Sequence, residues 1–302
     1  MRFAVLASPE SWYLQDLRRA AQVEDELIAL PFSTIATALS DRGLSVTSRV
    51  DEAVYDWSQF AAVLVRTMPP GSLEQVIFRM DALGQYERLG GIVVNPPRSI
   101  EVAVDKFLTS ARLQAAGLAT PRTIVCQTVD EALDAFDQLQ GDVVIKPLFG
   151  GEGRGISRVN DPDIARRVCQ LLTQLGAVLY LQEFVAHDGH DIRILWIGDD
   201  YLAMRRHNPL DWRTNVSRGA VAEAFTPTAE MIEIARRAAE AVGAGVAGVD
   251  LLPARDGRLV TLEVNAVPGW KALGRVTGVD VAALVWRYVR SLVRDRVAAA
   301  TS

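Results

Sequence analysis

The chain has 302 residues, 49% of them hydrophobic, enough for two domains or one large one with real cores. Its 37 acidic and 32 basic side chains leave a net charge of −5, which argues against a dedicated nucleic-acid binder. No apolar run approaches the roughly 20 residues of a membrane span, no secretory signal precedes the first strand, and Cys126 and Cys169 fit neither a disulfide framework nor a zinc spacing, so a cytoplasmic protein without a membrane partner is expected.

In chain order, residues 2–7 read as a buried strand, and a helical pattern follows Trp12 and Tyr13. Residues 31–42 have helical spacing that stops at Gly43, which reads as a C′ glycine. Residues 44–47 and 61–66 are expected strands, 72–89 a helix and 92–95 a further strand. Strands alternating with helices predict a parallel sheet covered on both faces, an α/β domain over residues 1–97 that ends at the Pro96-Pro97 linker.

A helix from Ser99 or Ile100 to Ala116, a strand over 122–126 and a capping box at Thr128-Val129-Asp130-Glu131 come next. The helix opened by that box ends near Gly141, and strand 142–147 leads into the glycine loop 149–155 and a returning strand, 156–159. Asp161-Pro162 opens a helix to Gly176, and strand 177–184 closes a small α+β module over 98–184. The last unit, 185–302, has strands at 191–197 and 201–206, then an Arg- and Gly-rich connection to Phe225. A helix over 227–242 capped by Thr226, a hairpin and an amphipathic pattern over 279–297 complete it.

That hairpin, residues 246–269, reads VAGVDLLPARDGRLVTLEVNAVPG. Asp256-Gly257 favours a two-residue type I′ turn, which pairs Arg255 with Arg258 and sets Asp250 opposite Glu263, with Asn265 on the same face. Carboxylates facing each other at about 5 Å between Cβ atoms repel. A divalent cation reverses that sign, and ligands that are all oxygen suit a hard ion such as Mg²⁺. The alternatives are a chance polar face, or a bulge at Pro253 that destroys the register.

Of the basic residues only Lys106, Lys146 and Lys271 are lysines, so Arg serves wherever generic charge suffices. A retained lysine marks a place where a compact ammonium fits and a guanidinium fork does not, unless the three are chance survivors. Lys146 lies in the apolar strand Val143-Val144-Ile145-Lys146-Pro147, where it needs an anion unless it sits at an edge. Lys106 follows Asp105 on an expected helix, where an ordinary ion-pair neighbour would also explain it. Gly150 to Gly155 reads GGEGRG between two strands. It is neither a Walker A loop nor a dinucleotide fingerprint, which leaves a flap whose N–H groups can approach phosphate, or an ordinary flexible hairpin. Arg193, Arg205, Arg206, Arg213 and Arg218, with Asn215 among them, form a basic cluster suited to carboxylate or phosphate, or a solvated face. His187, Asp188, His190 and Asp191 read as polar loop residues rather than a zinc site.

An ordered series resembles the ATP-grasp superfamily, and within it the RimK-type branch of the ribosomal protein S6 modification enzyme and related L-glutamate ligases. The series is Asp105-Lys106, Val144-Ile145-Lys146-Pro147, the glycine loop, Leu181-Gln182-Glu183-Phe184, Asp191-Ile192-Arg193, Arg213-Thr214-Asn215 with Arg218-Gly219, Gly248-Val249-Asp250, and Glu263-Val264-Asn265 with Pro268-Gly269. The resemblance implies an α/β and α+β ATP-grasp fold: a pre-ATP-grasp domain (1–97), a small subdomain with the flap (98–184) and a C-terminal subdomain with a metal site (185–302).

It further implies that Lys106 and Lys146 contact ATP phosphates under the flap glycines Gly151, Gly153 and Gly155. The backbone of Gln182, Glu183 and Phe184 would meet the adenine, Asp191 the ribose region, and Arg213 and Asn215 the phosphate side. Asp250, Glu263 and Asn265 would hold Mg²⁺, or Mn²⁺ in its place, and Arg193 and Arg218 would grip an acyl phosphate or acidic substrate. The implied reaction is ADP-forming: ATP phosphorylates a carboxylate, and an amine attacks the acyl phosphate to give an amide. L-glutamate is the implied amino acid, with an acidic acceptor, in a homo-oligomer. Residues 65–71, VRTMPPG, resemble the subgroup acting on tetrahydromethanopterin-type coenzymes, while other relatives modify protein termini. Trp270 and Lys271 depart from the common pattern at the point where an acceptor would lie. The alternatives are a non-catalytic nucleotide-binding regulatory module, or a ligase for another amino acid of the glutathione synthetase or amino-group carrier type.

Overall fold

In the computed structural model, which describes residues 1–41, 43–150, 153–215 and 219–301, β1 (Arg2–Leu6), α1 (Trp12–Ala20) and β2 (Glu26–Ala29) form the first β-α-β unit of a parallel sheet. The expected helix over 31–42 is not formed. The segment instead carries β3 (Ile35–Ser40), antiparallel to β4 (Gly43–Val50), which pairs in turn with β5 (Ala53–Asp56). The apolar residues Ile35, Ala38 and Leu39 fit a helical period, but pairing to β4 wins and buries only Ile35; Leu39 is left 85% exposed. Then β6 (Ala62–Val65), α2 (Leu73–Arg88) and β7 (Val93–Val94) complete a parallel sheet of order β2-β1-β6-β7. Ser72 and Gln75 cap α2 reciprocally.

The single helix expected up to Ala116 is two, α3 (Pro97–Val104) and α4 (Lys106–Ala115). Asp105 breaks it because its carboxylate caps the second helix, accepting from the Leu108 N–H at 3.0 Å. Lys106 thereby becomes the first residue of a helix rather than a mid-helix surface residue.

The next strands and helices are β8 (Thr123–Cys126), α5 (Val129–Gln138), β9 (Val143–Lys146), β10 (Ser157–Val159), α6 (Pro162–Gln174) and β11 (Leu179–Glu183). They make an antiparallel sheet, β10-β9-β11-β8, backed by two helices whose caps are Thr128 and Asp161. Phe136, Ile145, Cys169 and Leu181 share its core.

β12 (His190–Ile197), β13 (Asp200–His207), β14 (Val221–Ala224), α7 (Ala229–Val242), β15 (Val246–Pro253) and β16 (Leu259–Asn265) follow, with sheet order β14-β13-β12-β15-β16, all antiparallel. Thr228, not Thr226, caps α7. α8 (Lys271–Thr277) and α9 (Val281–Thr301) end the chain. No helix among the described residues is long and apolar enough to cross a membrane.

Alternation along β1 splits the large cores. Ala4 and Leu6 pack with Leu83, Ile100, Ala238 and Val249 on one face, and Phe3 and Val5 with Leu14, Leu195, Trp270 and Trp286 on the other. Both cores draw on the parallel and the five-stranded sheets, and each fully buried Leu, Val or Phe contributes about 1.5–3 kcal/mol. Buried Asn95 staples the two, donating to the carbonyls of Val246 (2.7 Å) and Ala266 (2.6 Å) and accepting from the Val246 N–H (2.9 Å). This fixes the β15–β16 hairpin against the parallel sheet.

Candidate active site

Asp250 does face Glu263, but not by the expected route. The turn is a three-residue loop: the Ala254 N–H donates to the Arg258 carbonyl at 2.8 Å, and Gly257 takes a φ of +87° that a side chain disfavours. Arg255 therefore does not pair with Arg258. This one-residue shift is undone at Leu262, which stands unpaired between the couples Leu251–Thr261 and Asp250–Glu263, while Pro253 stays in register opposite Leu259. Gly248, opposite Asn265, leaves only tight space for a side chain. A Cβ there would stand 3.1 Å from Pro268 Cβ and 3.9 Å from Arg193 Nε and Asn265 Cβ.

Beneath the hairpin runs a buried chain of charges. Arg193 grips Asp250 bidentately (Nε–Oδ1 2.6 Å, Nη2–Oδ2 2.7 Å), and Arg206 Nη2 reaches Asp250 Oδ2 at 2.8 Å. Arg206 also forks onto Asp191, whose second oxygen accepts from Thr214 Oγ1 at 2.6 Å. Burial opposes every charge here. It leaves the Asp191 carboxyl raised despite Arg206, whereas Arg193 and Arg206 together hold Asp250 well below the usual carboxylate range. Burial and the neighbouring Asp250 raise Glu263, against the pull of Arg193 and Lys146. Glu263 keeps 41% of its side chain open to the cleft, its contact with Arg193 being a loose 3.7 Å.

These oxygens fit a hard cation. Glu263 is nearly free, Asn265 Oδ1 has given only one lone pair, to the Val267 N–H at 2.8 Å, and three of the roughly four acceptor sites of Asp250 are occupied, which leaves one. Among the described residues no three His, Cys, Asp or Glu gather as a metal cluster, so the amide of Asn265 is a necessary member of the set.

Both lysines line the same cleft and feel the charge of Glu263. Lys146, at the end of β9, donates to Gln182 Oε1 at 2.6 Å, and Lys106 Nζ donates to the Gly150 carbonyl at 2.6 Å, tying the root of the flap to α4. Burial pulls Lys146 down to about 8, with Glu263 resisting and Lys106 assisting. Burial lowers Lys106 as well, opposed by Glu263 and Asp105. A phosphate ligand would restore the Lys146 charge. Above pH 8 nucleotide binding should therefore take up a proton and weaken by up to tenfold per pH unit, while below pH 8 it should do neither. Calorimetry of ADP binding in buffers of different ionisation enthalpy measures the uptake, and a pH-independent affinity between 7 and 9.5 would contradict it.

A cleft of about 1020 Å³ runs along this wall, and a cavity of about 100 Å³ continues it under β9 and β11. Lys146, Arg206, Asn215, Leu262 and Glu263 line both. The smaller cavity meets Gly153, Gln182 to Val185, Asp191 and Arg213. The N–H groups of Glu183 and Phe184 are committed to the carbonyls of Arg122 and Asp142, and the Glu183 carboxylate to Arg122 and Arg258. The N–H of Val185, one residue beyond the expected stretch, has no acceptor among the described residues.

Most expected site residues thus converge on one cleft. Asp191 lies at its floor, holding Arg206 and Thr214. Arg213 is paired with Asp211 and reaches the Ile156 carbonyl at 3.4 Å. Gly155 packs near Pro147, outside both cavities. Gly151 and Arg218 fall outside the described residues. Arg206 was only one of a cluster in sequence. Its alternation with Arg205 on β13, opposite Asp191 on β12, is the signal that separates the buried arginine from its exposed neighbour.

Comparison with known proteins identifies the family. The family model described as the RimK-like ATP-grasp domain matches residues 103–289. The chain is 32% identical to the tetrahydromethanopterin:alpha-L-glutamate ligase of Methanococcus maripaludis, over 93% of this chain and 95% of that protein. It is 34% identical to a ribosomal protein bS6–L-glutamate ligase of Escherichia coli, over 69% of this chain and 70% of that one. Two solved structures share the fold at a TM-score of 0.72. One is the RimK domain ATP-grasp protein of Sphaerobacter thermophilus, 23% identical, covering 95% of this chain and 99% of that one. The other is the ATP-grasp ligase PsnB with a variant of its minimal precursor, Mg and ADP, 20% identical, covering 96% and 97%. The chain belongs to the RimK-like ATP-grasp family and is an ATP-grasp ligase.

Proposed function

We propose that this chain adds L-glutamate, through an acyl phosphate, to the carboxylate of an acidic acceptor, a tetrahydromethanopterin-type coenzyme or a protein terminus. The observation that carries the reading is that two of the chain's three lysines line the same cleft as Glu263 and Asn265, with Lys146 and Glu263 shared by both cavities. The relatives at about a third identity supply the substrate class. In this reading the smaller cavity takes adenine between Phe184, Val185 and Trp212, and Asp191 shapes the ribose end through Arg206 and Thr214. Lys106, Lys146, the flap glycines, Arg213 and Asn215 take the phosphates, and residues 1–97, 98–184 and 185–302 act as three units around them.

Glu263, Asn265 and the remaining acceptor site of Asp250 would hold Mg²⁺, or Mn²⁺, which when bound offsets phosphate charge. The residues present do the rest. The two lysines draw negative charge from the transferred phosphoryl group, Arg193 faces the activated carboxylate, and the flap keeps water from it. The attacking amine of glutamate must arrive neutral, and no protein nucleophile is needed. Incubation with ATP, Mg²⁺, L-glutamate and a panel of acidic acceptors should release ADP together with a product heavier by one glutamyl residue. ATP binding without turnover for any acid and amine would favour a regulatory module instead.

A further inference from the structure

Arg66 follows β6 and lies along the larger cleft, on the part that the smaller cavity does not share. Its surroundings are unusual for a half-buried guanidinium. It has no carboxylate partner among the described residues. Nη2 donates to the Pro268 carbonyl at 2.6 Å, Nη1 donates to no described residue, and Nε is shut in without an acceptor. The Cζ atom stands 5.0 Å from the Tyr13 ring and 4.2 Å from the Trp270 ring, which meet edge to face at 4.9 Å. Burial lowers its affinity for its proton, to about 10, with Tyr13 the lesser and opposite influence. A fork desolvated in this way costs stability unless an anion completes it.

The chain's own acids nearby are already engaged. Asp16 accepts from Trp270 Nε1 at 2.9 Å and from Arg19, and Arg19 also pairs with Asp280 at 2.7 Å. Lys271, 5.2 Å from the Trp12 ring, and Arg275 add positive charge to the same cleft and have no ion pair among the described residues. One residue, Pro268, connects Arg66 to the reacting end. Pro268, which takes the Arg66 hydrogen bond, crosses Gly248 beside Arg193 and Asn265.

We propose that Arg66, packed against Tyr13 and Trp270, is a carboxylate-binding residue that anchors a second, non-reacting carboxylate of the acidic substrate while the first lies at Arg193. Planar bidentate recognition explains why Arg rather than Lys stands here, and the two rings fix the fork before the substrate arrives. The proposal deepens the ligase reading and rests on it for the identity of the substrate, but binding tests it separately from turnover.

The test uses the full chain and the dipeptide L-glutamyl-L-glutamate as probe, with L-glutaminyl-L-glutamine as its uncharged counterpart. Both are titrated by calorimetry and against the intrinsic fluorescence of the chain's six tryptophans. Wild-type protein should prefer the acidic dipeptide. Arg66→Gln should weaken that binding about 10- to 100-fold, and Arg66→Lys by less, while ADP affinity stays within about twofold in all three. Equal binding of the acidic dipeptide by wild type and Arg66→Gln would overturn the proposal, as would a wild type that binds it no better than the amide or not at all. Should Arg66→Gln fail to fold, seen as lost ADP binding, Arg66→Lys with the acid-versus-amide comparison decides. Absence of ADP release from a wild type that binds the acid through Arg66 would instead count against the ligase reading.

Discussion

Glu263→Gln is expected to lower ADP release by roughly 10²- to 10³-fold while leaving the thermal transition in place. The side chain is half open and makes only one loose contact, so little packing is lost with its charge. Removing that charge even relieves repulsion from Asp250, its cross-strand partner. What disappears is the least engaged carboxylate in the cleft and the charge that opposes the burial-driven lowering of Lys146 and Lys106. Mg²⁺ titrations of the rate should show a weakened dependence. Unaltered turnover in Glu263→Gln would place the metal elsewhere.

Arg206→Met acts on stability instead. The arginine is 3% exposed and bridges Asp191 and Asp250, and burial and the two carboxylates act on it in opposite directions, with the carboxylates prevailing. Its removal leaves Asp191 buried with only Thr214 for a partner, a loss of about 3–5 kcal/mol by analogy with other broken buried pairs. In a chain of this size that is a fall in melting temperature on the order of 10 °C. The deficit should shrink as pH falls, because an unpaired buried carboxylate is raised above its unfolded value and regains stability once protonated. Adding Asp191→Asn should recover part of the loss at neutral pH. Chemical denaturation of the single and double variants measures both effects. A loss below 1 kcal/mol for Arg206→Met would mean that the charge chain is not structural.

Much of this was legible in the residues, for uneven reasons. Asp250 opposite Glu263 was read from a two-residue turn that does not exist. The three-residue loop at Gly257 and the bulge at Leu262 each shift the register by one, and they cancel. Strands β12, β13 and β15 announce themselves by length and burial, but β3 is exposed everywhere except Ile35, and its apolar residues satisfy a helical period as well as a strand. The break at Asp105 depended on a cap competing with helix continuation, which spacing alone does not weigh. Arg206 and Arg66 were visible only as members of a cluster and of a motif. Their roles come from what surrounds them, two acids in one case and two rings without an acid in the other, and those neighbours lie far away in sequence.

The acyl-phosphate route can be traced through its oxygen. With an acceptor whose carboxylate carries ¹⁸O, together with ATP, Mg²⁺ and L-glutamate, each amide formed should leave one ¹⁸O in the released inorganic phosphate and yield one ADP. Phosphate free of ¹⁸O, or AMP in place of ADP, would contradict a ligase that activates the acid by phosphorylation in this cleft.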